Sequence, residues 1–387
     1  MRIKNKMLKY RIKNLINILW TVIFWVFPVK DNKIVFDNFI GMGYGDNPKY
    51  VADEIIKRNY PVQIVWLVND IDEYMPDRIK KVRINSIRAI YEKATAKVWI
   101  DNVRNAVQIK KRKSQIYLQV WHAPFGPKYA EMDAEDRLNQ EYVQRAKYDG
   151  SITDAIIVSN NLQRQQFQRA FWLNDKVEYL EYGLPRNDVL FHPDICLINN
   201  LRQSLGIDKD DYVILYAPTF RDDYSIDGYK IENQNIIRAF EKKLHRKCKM
   251  IIRLHPNVRN QSELMKYDEN VIDGSGITDT QYVTLISDCV ISDYSTIVFD
   301  FAMFNKPVFI CALDLEMYKE SRGLLSEFWK MPFPISTTND ELVRQIEQLE
   351  FDIYYEKVEE YFDRNPNYDD GSASARTVEW IISKMKI

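Results

Sequence analysis

The sequence predicts an α/β protein made of two doubly wound halves, each with its own parallel sheet. Short β-rich runs alternate with longer stretches of helical periodicity, which is the pattern of βαβ units. The alternation breaks at 191–210, where the chain is polar and helical, and then starts again. The candidate strands are 33–38, 62–69, 97–102, 116–122, 155–160 and 177–182 in the first series, and 212–218, 249–256, 289–294 and 307–312 in the second.

The composition supports a globular protein. The chain has 387 residues, of which 46% are hydrophobic, enough for a sizeable core and too many for a disordered protein. The net charge of -1 argues against a nucleic-acid footprint over the whole surface. The four cysteines are far apart and form no CxxC pair, so we interpret them as reduced thiols of a cytosolic protein.

The first thirty residues differ from the rest of the chain. Residues 1–14 contain six basic side chains and no acidic one. The apolar stretch 15–29 is shorter than the roughly 20 residues that a membrane-spanning helix needs, and no signal-peptidase site follows it. We therefore predict that residues 1–30 lie on an anionic membrane surface, with four aromatic side chains inserted into it: Trp20, Phe24, Trp25 and Phe27. The alternative is an N-terminal helix that docks on the protein's own core.

The predicted domain limits follow from these patterns. After the membrane segment 1–30, residues 31–190 would form an N-terminal Rossmann-like domain and residues 191–350 a C-terminal one. Residues 351–387 would form a helical segment that packs back across both domains.

A glycine-rich segment, "GMGYGDNP" (41–48), precedes one predicted helix. Its glycine spacing does not match a dinucleotide fingerprint. It predicts a loop that admits a substrate group close to the backbone, followed by a helix that starts near Pro48 with Asn47 as its cap.

Polar side chains follow several predicted strands where ligands bind in open α/β sheets, at the carboxyl ends. Two of the four histidines of the chain are among them, beside arginines and hydroxyl groups. The set is His122, Pro218, Thr219, Arg221, Arg253, His255, Asp293, Ser295 and Thr296.

The segment "STIVFDFAMF" (295–304) predicts a helix directly after a strand. Asp293 or Ser295 would cap it, and the hydroxyls of Ser295 and Thr296 beside exposed N–H groups would form an anion cradle suited to phosphate. Asp300, one turn later, would face a ligand hydroxyl. Nearby cations favour a diphosphate ligand; they are Arg186, Arg253 and His255.

Other chemistries lack sequence support. The chain has no HExxH or DxD motif, no close cluster of histidine and carboxylate residues, and no G-x-S-x-G elbow. We therefore expect neither a metal nor a cofactor. The remaining interpretation is group transfer from a nucleotide diphosphate, with a histidine as base.

Several motifs in this order resemble the CDP-glycerol glycerophosphotransferase family, which builds teichoic acids and related glycerol-phosphate polymers. The resemblance covers about 33–380. The motifs are "GYGDNPKYVADEI" (43–55), "WHAPFGPK" (121–128), "GLPRND" (183–188), "YAPTFRDD" (216–223), "RLHP" (253–256), "SDYSTIVFDFAMFNKP" (292–307) and "DDGSASAR" (369–376).

The resemblance implies a GT-B fold, two Rossmann-like domains with the donor in an interdomain cleft, in a peripheral protein on the cytoplasmic face of the cell membrane. It also implies that residues 31–190 serve the acceptor and that residues 191–350 bind CDP-glycerol. The reaction would be attack by a hydroxyl of a lipid-linked acceptor on the β-phosphorus of CDP-glycerol, with release of CMP.

The resemblance also assigns roles to residues. His122 would be the general base, and His255, the second catalytic residue, would hold the diphosphate together with Arg253. The remaining substrate-binding positions would be Trp121, Ala123, Pro124, Arg186, Pro218, Thr219, Leu254, Ser295, Thr296 and Asp300.

One motif departs from the family pattern, which usually has Gly-Thr where this chain has Ala123 and Pro124. Pro124 offers neither an N–H group nor a hydroxyl to a phosphate. CDP-ribitol therefore stays open as the donor, and primase or polymerase activity stays open as well. A GT-B glycosyltransferase or epimerase that uses a sugar nucleotide, and a non-catalytic binding protein, are the competing hypotheses.

Overall fold

A computed structural model describes residues 2–105, 109–221, 229–255, 258 and 265–387, with side chains from residue 12 onward. Eight residues on which the sequence analysis drew therefore have side chains outside the described part: the five basic residues before position 12, and Asp222, Asp223 and Pro256 of the family motifs. The chain divides into two units. Unit 1 contains 1–122, 130–188 and 367–387, and unit 2 contains 123–129 and 189–366. The predicted domain limits stay a prediction.

Unit 1 is built on a parallel sheet. In the described residues this sheet has seven strands in the order 3-2-1-4-5-6-7, so the chain starts in the middle and winds outward in both directions. All neighbouring pairs run parallel. The strands are β1 (Lys30–Asp37), β2 (Gln63–Val68), β3 (Ile79–Arg83), β4 (Ala96–Asp101), β5 (Ile116–Gln119), β6 (Ala155–Ile157) and β7 (Glu178–Leu180).

Unit 2 repeats this winding in a second parallel sheet. Six strands of the described chain form it, in the order 10-9-8-11-12-13. The central strands are buried along their whole length and mostly apolar, as expected for parallel sheets covered on both faces. The strands are β8 (Tyr212–Tyr216), β9 (Cys248–Ile252), β10 (Val271–Asp273), β11 (Cys289–Ser292), β12 (Val308–Cys311) and β13 (Ile335–Ser336).

Helices connect and cover the strands. Six of the described helices begin where an Asn, Asp, Ser or Thr side chain accepts a backbone N–H, as in the helices that start after Ser86, Asn160 and Thr338. They are α1 (Arg2–Phe24), α2 (Asp46–Lys57), α3 (Ile87–Thr95), α4 (Gln140–Ile152), α5 (Asn161–Ala170), α6 (Asp188–Phe191), α7 (Ile195–Ser204), α8 (Asn233–Leu244), α9 (Thr280–Ile286), α10 (Ile297–Ala302), α11 (Leu315–Ser321), α12 (Asn339–Gln348), α13 (Phe351–Arg364) and α14 (Ala373–Lys384).

The predicted strands are confirmed, with ends that differ by a few residues. Three further strands had not been predicted, namely β3, β10 and β13. All three are edge strands. β3, with the sequence IKKVR, is charged, and the other two have three and two residues. Edge strands are often short and charged, so they lack the apolar run by which a buried strand is predicted.

Helix α1 docks on unit 1. Its residues Trp20 and Phe24 pack against the core cluster around Trp99 and Tyr117, and the Phe24 ring contacts the Tyr91 ring edge-on at 5.4 Å. The expectation that Trp20 and Phe24 insert into a membrane was therefore wrong, because these two rings already cover the protein's own core. The opposite face of α1 and the residues that follow it stay exposed and apolar; the large side chains are Ile12, Leu15, Ile16, Ile18, Leu19, Val22, Ile23, Val26 and Phe27.

A buried arginine ties together three segments of unit 1. Arg104, 1% exposed, donates to both carboxylate oxygens of Glu131, to Asp149 and to the carbonyl of Phe171. Removing one partner of a buried ion pair is strongly destabilising because the other charge stays buried and uncompensated.

We expect Arg104→Ala to lower the free energy of unfolding by about 3–5 kcal/mol, since Glu131 and Asp149 would lose their cation. The matched control is Arg364→Ala, which removes an arginine whose side chain is 74% exposed and paired with Glu360. Its expected effect is about 0–1 kcal/mol. Urea unfolding followed by fluorescence gives both values, and equal losses would contradict the assignment.

Candidate active site

His122 and the residues that contact it lie where β1, β4 and β5, three neighbouring parallel strands, end. His122 follows the last residue of β5 by three positions, and its Nδ1 lies 2.8 Å from the carbonyl oxygen of Asn102. A carbonyl oxygen only accepts hydrogen bonds, so the neutral imidazole carries its proton on Nδ1 and a lone pair on Nε2. This tautomer is the one that a general base acting through Nε2 requires.

Aromatic rings hold the imidazole in place. The ring centroids of Phe39 and Trp121 lie 5.3 and 4.5 Å from that of His122. Trp121 is itself packed edge-on against Phe171 at 4.8 Å. These contacts restrict rotation of the His122 side chain.

Backbone strain collects around this histidine. Four non-glycine residues near it have positive φ angles: Phe39 at 42°, Ile40 at 61°, Asp46 at 52° and Trp121 at 47°. A positive φ is uncommon for any of these residues and is strongly disfavoured for the β-branched Ile40. Such conformations cost about 1–3 kcal/mol each and are concentrated at ligand sites. The strain therefore supports a functional role for the loop after β1.

Asn47 does not cap α2, which corrects the sequence-based expectation. The helix begins at Asp46 after Gly45, with no side-chain cap. The fully buried Asn47 side chain donates to the carbonyls of Val120 and Trp121 at 3.2 and 2.9 Å and accepts the Arg186 N–H at 2.9 Å. Asn47 thus joins the segment that carries His122 to the turn that carries Arg186.

Arg186, predicted from the "GLPRND" motif, is 7% exposed. One of its guanidinium nitrogens lies 3.8 Å from the carboxylate of Asp46. Asp46 also accepts a hydrogen bond from the Asn102 side chain at 3.2 Å, and Asn102 donates to Asn38 at 2.8 Å.

Asn102 is a site residue that the sequence analysis missed. It positions His122 through its carbonyl, and its side-chain oxygen accepts the N–H of Phe39 at 2.9 Å. It ends the predicted strand 97–102, so the strand-end criterion that selected His122 would have found it.

Two buried carboxylates lie at the ends of β1 and β4, directly before these loops. Asp37 and Asp101 are each 2% exposed, and Asp37 accepts the Gly41 N–H at 2.7 Å. Lys93 lies 3.6 Å from Asp101. Burial raises the pKa of both carboxyl groups above the usual range, with Lys93 acting in the opposite direction. The Asp37 carboxylate, through its bond to Gly41, holds the loop that follows β1.

In unit 2 the neighbouring strands β9, β8 and β11 bring three predicted loops together. The Thr219 N–H donates to Asp293 at 2.8 Å, which joins the loop after β8 to the loop after β11. The Thr219 hydroxyl oxygen is buried and makes no hydrogen bond within the described residues. A buried hydroxyl without a partner is unfavourable, so it is a group that a ligand oxygen would satisfy.

Arg221 holds these loops from below. Its guanidinium donates to Asp293 at 2.8 Å and to both oxygens of Asp314 at 2.7 and 3.0 Å. Asp314 also accepts the hydroxyl of Tyr294 at 3.0 Å. Asp314, which the sequence analysis missed, lies shortly after β12, again at a strand end.

Helix α10 begins at Ile297 and has six residues. Ser295 accepts the Ile297 N–H at 3.4 Å, whereas Asp293 does not cap the helix and bonds to the backbone of Thr219 and Tyr294 instead. The helix is short, so the hydroxyls and N–H groups at its start matter more to an anion than its dipole. Thr296 is half-buried and Asp300, 1% exposed, lies in the core of unit 2.

The segment that carries Ala123 and Pro124 belongs to unit 2. A Cβ on Gly126 would lie 3.5 Å from the Thr296 side chain, and the Phe125 ring contacts Phe299 at 6.4 Å. Pro124 is buried. The departure from the family pattern therefore lies in the same unit as the predicted phosphate-binding hydroxyls.

His255 keeps an exposed surface but lies among cations. Its ring is 5.4 Å from that of Phe220. Desolvation by the surrounding protein, together with the positive charges of Lys128 and Arg253, lowers the pKa of His255 to about 4. His255 is therefore neutral at physiological pH in the protein without an anion.

Arg253 contributes to the shape of this loop. Its guanidinium donates to the carbonyls of Gly274 and Ile277 and to the hydroxyl of Thr280. Leu254, which is 2% exposed, donates its N–H to Ser275 at 3.1 Å.

Each unit thus brings part of the predicted set together. Within the described residues, no three His, Cys, Asp or Glu side chains form a group that could hold a metal ion. Unit 1 holds Trp121, His122 and Arg186, and unit 2 holds Ala123, Pro124, Pro218, Thr219, Arg253, Leu254, His255, Ser295, Thr296 and Asp300.

The fold defines the class of protein first. Two parallel α/β units with polar groups beyond their strand ends match the GT-B-like two-domain fold. MnaA of S. aureus, solved with UDP, superposes with a TM-score of 0.56 over 92% of this chain and 98% of its own, at 14% identity. This likeness confirms the predicted fold class.

The family follows from the sequence match. The model of the CDP-glycerol:poly(glycerophosphate) glycerophosphotransferase family covers residues 19–383, and the chain belongs to this family of transferases. The predicted family is confirmed.

Curated relatives and solved structures agree with that assignment. A teichoic acid poly(glycerol phosphate) polymerase of Staphylococcus epidermidis is 31% identical over 89% of this chain, which spans 50% of that protein's length. One of Bacillus spizizenii is 28% identical over 98% of this chain and 100% of its own. The wall teichoic acid polymerase TagF, in a variant soaked with CDPG, superposes with a TM-score of 0.82 over 100% of this chain and 98% of that one, at 28% identity.

The charge environment of His255 gives a prediction. We expect Lys128→Met to raise the pKa of His255, because one of the two positive charges that disfavour the imidazolium is removed. Lys128→Arg, which keeps the charge, should leave the pKa unchanged. Nuclear magnetic resonance titration of labelled histidines measures both, and an unchanged value in Lys128→Met would refute this cause.

Proposed function

We propose that the protein transfers glycerol phosphate from CDP-glycerol to a hydroxyl group of a lipid-linked acceptor and releases CMP. The product would be a teichoic acid or a related cell-surface polymer. The observation that carries the proposal is the family match over residues 19–383. The similarity to TagF, one structure of which was soaked with CDPG, supports CDP-glycerol as the donor.

His122 is the proposed general base. The hydrogen bond from its Nδ1 to Asn102 leaves the lone pair on Nε2, which would accept the proton of the acceptor hydroxyl. The oxygen of that hydroxyl would attack the β-phosphorus of CDP-glycerol. A new P–O bond forms, the bond to the CMP oxygen breaks, and CMP leaves.

The groups gathered in unit 2 would bind the donor. Phosphoryl transfer depends mainly on positioning and on stabilising charge. The hydroxyls of Thr219, Ser295 and Thr296 would donate hydrogen bonds to phosphate oxygens, and Arg253 with His255 would offset the diphosphate charge. A bound diphosphate would raise the pKa of His255, because a nearby negative charge favours the imidazolium. Pro218 would complete this set in unit 2, and the donor-binding roles that the resemblance gives to Arg186 and Asp300 stay predictions.

A peripheral position on the cytoplasmic face of the cell membrane is part of the proposal. In the described residues, no helix is both long and apolar enough to cross a bilayer. The exposed apolar face of α1 would instead enter the interface, and the cations next to its end would meet anionic head groups. Two of these cations, Lys110 and Arg112, already lie 5.5 Å from the ring of Trp25.

The central experiment is incubation with CDP-glycerol and a defined lipid-linked acceptor, with CMP release and product mass as readouts. Transfer from CDP-glycerol supports the proposal. Transfer from CDP-ribitol alone, or from UDP-sugars alone, would identify a different donor and refute the proposal. One added unit per acceptor indicates a primase, and a ladder of products indicates a polymerase.

We expect His122→Ala to reduce turnover at least about a hundredfold, the usual contribution of a general base, while CDP-glycerol binding persists. The control is His192→Ala, which removes an exposed histidine of unit 2 that has no proposed role. Steady-state CMP release and calorimetric titration separate the two effects. Full turnover in His122→Ala would exclude this residue as the base.

The membrane contact is tested by substitutions that spare the docked face of α1. Leu19 and Ile23 are each 55% exposed, so Leu19→Gln with Ile23→Gln leaves the packing of Trp20 and Phe24 intact. We expect binding to anionic vesicles to fall at least about tenfold, since apolar side chains supply part of the binding free energy.

The matched control replaces two exposed isoleucines of unit 2, Ile195→Gln with Ile353→Gln. Sedimentation with vesicles should be unchanged for this pair. If the α1 pair also sediments like the unchanged protein, the exposed face of α1 is not the membrane contact.

A further inference from the structure

Unit 1 contains a basic cavity far from the strand ends that carry His122. Its volume is about 360 Å³. It opens at the amino ends of β1, β2 and β3, the opposite edge of the sheet, beside helix α3. Six of its lining residues carry the argument: Lys30, Arg78, Lys80, Arg88, Tyr91 and Glu92.

The cavity has more positive charge than its carboxylate can balance. The carboxylate of Glu92, which is 2% exposed, forms ion pairs with Lys80 at 2.7 Å and with Arg88 at 2.8 Å. It also pairs with the buried Lys33, which does not line the cavity, at 2.7 Å. Although burial opposes ionisation, the hydrogen bonds from Lys33 and Lys80 lower the pKa of Glu92 to about 2. One permanent negative charge thus faces three cations.

Two further cations increase the imbalance. Within the described residues, Arg78 donates only to neutral partners, the side chain of Asn59 and the carbonyl of Tyr60. Lys30 is exposed at the start of β1. The pKa of Lys33 is lowered mainly by burial, and the positive charge of Lys30 lowers it further. Like charges held this close repel each other, and an anion bound among them would remove that repulsion.

The location of the cavity indicates the source of the anion. Tyr91, which lines the cavity, contacts the rings of both Phe24 and Phe27 at 5.4 Å. Those two residues lie at the end of α1, whose other face is exposed and apolar. An anion with its own apolar tail would therefore place the charge in the cavity and the tail beside α1.

We propose that this cavity binds the phosphodiester head group of an anionic phospholipid. The proposal rests on the membrane attachment in the proposed function and deepens it. The lipid would orient unit 1 on the bilayer through a specific site, in addition to the apolar contact of α1 and the diffuse attraction of basic residues.

The test compares two charge-removing pairs of substitutions in the intact 387-residue chain. Lys80→Gln with Arg88→Gln empties the cavity of two exposed cations and leaves the buried Lys33–Glu92 pair to support folding. Lys110→Gln with Lys113→Gln removes two charges that do not line the cavity, and Lys110 lies 5.5 Å from the ring of Trp25, just after α1. Lys30→Gln serves as a milder cavity variant should the first pair unfold.

Binding is measured by sedimentation with phosphatidylcholine vesicles that contain about 30% phosphatidylglycerol, an anionic lipid that attracts basic residues. Two basic residues near such a surface would account for about a thirtyfold loss through diffuse attraction alone, since each contributes about 1 kcal/mol. We expect a loss several times larger than this for the cavity pair, because these two residues would also contact the head group directly. The loss for the control pair should be several times smaller. Equal losses, or no loss in the cavity pair, would overturn the proposal.

Two further arms separate the alternatives. Millimolar glycerol phosphate should not displace the protein from vesicles, and displacement would mean that the cavity takes a soluble phosphate instead of a lipid. CMP release with a detergent-solubilised acceptor should be unchanged in the cavity pair. If the cavity pair binds vesicles and turns over substrate like the unchanged protein, only the cavity site is refuted. If the unchanged protein shows no turnover, the proposed function is refuted.

Discussion

The constraint on which this structure depends is that parallel strands deliver their carboxyl ends to one edge of a sheet. The loops that follow these strands carry polar groups, and those groups need partners because the strands beneath them are buried. In unit 1, Asn47 and Asn102 supply the partners. In unit 2, Arg221 with Asp293 and Asp314 does so. Each network also holds a predicted functional residue in place, His122 in one case and Thr219 in the other.

Charge is distributed between the two edges of the unit 1 sheet in opposite ways. Asp37 and Asp101 lie buried at the carboxyl edge, beneath the strained loop that contacts His122. Cations outnumber the single carboxylate at the amino edge, around Glu92. The first arrangement lies beneath the proposed proton-transfer site, and the second would attract the proposed anion. The proposed catalytic groups and the proposed membrane-binding groups would therefore lie at opposite edges of one sheet, where the charges of one set have little effect on the other.

Helix α1 combines two features that the sequence analysis treated as alternatives, packing on the protein's own core and an exposed apolar face suited to a membrane surface. Trp20 and Phe24 cover the core of unit 1, which accounts for two of the four aromatic residues, while aliphatic residues on the opposite face stay exposed. A helix docked in this way presents its apolar face in a defined direction. That rigidity gives the neighbouring cavity a definite position relative to whatever surface the helix meets, which a flexible tail would not provide.

The sequence by itself determined the fold class, the central strands and the family, because buried parallel strands and the family motifs are each formed by residues that are consecutive in the chain. It also selected His122, Thr219, His255 and Ser295 by their positions after strands. Only the tertiary structure decided that Asn47 joins two loops instead of capping a helix, that Asp293 pairs with Arg221, and that Trp20 faces the core. The tertiary structure was also needed to identify the edge strands β3, β10 and β13. The physical reason is that a hydrogen bond or an ion pair depends on which distant segments meet, whereas periodicity records only whether a residue is buried.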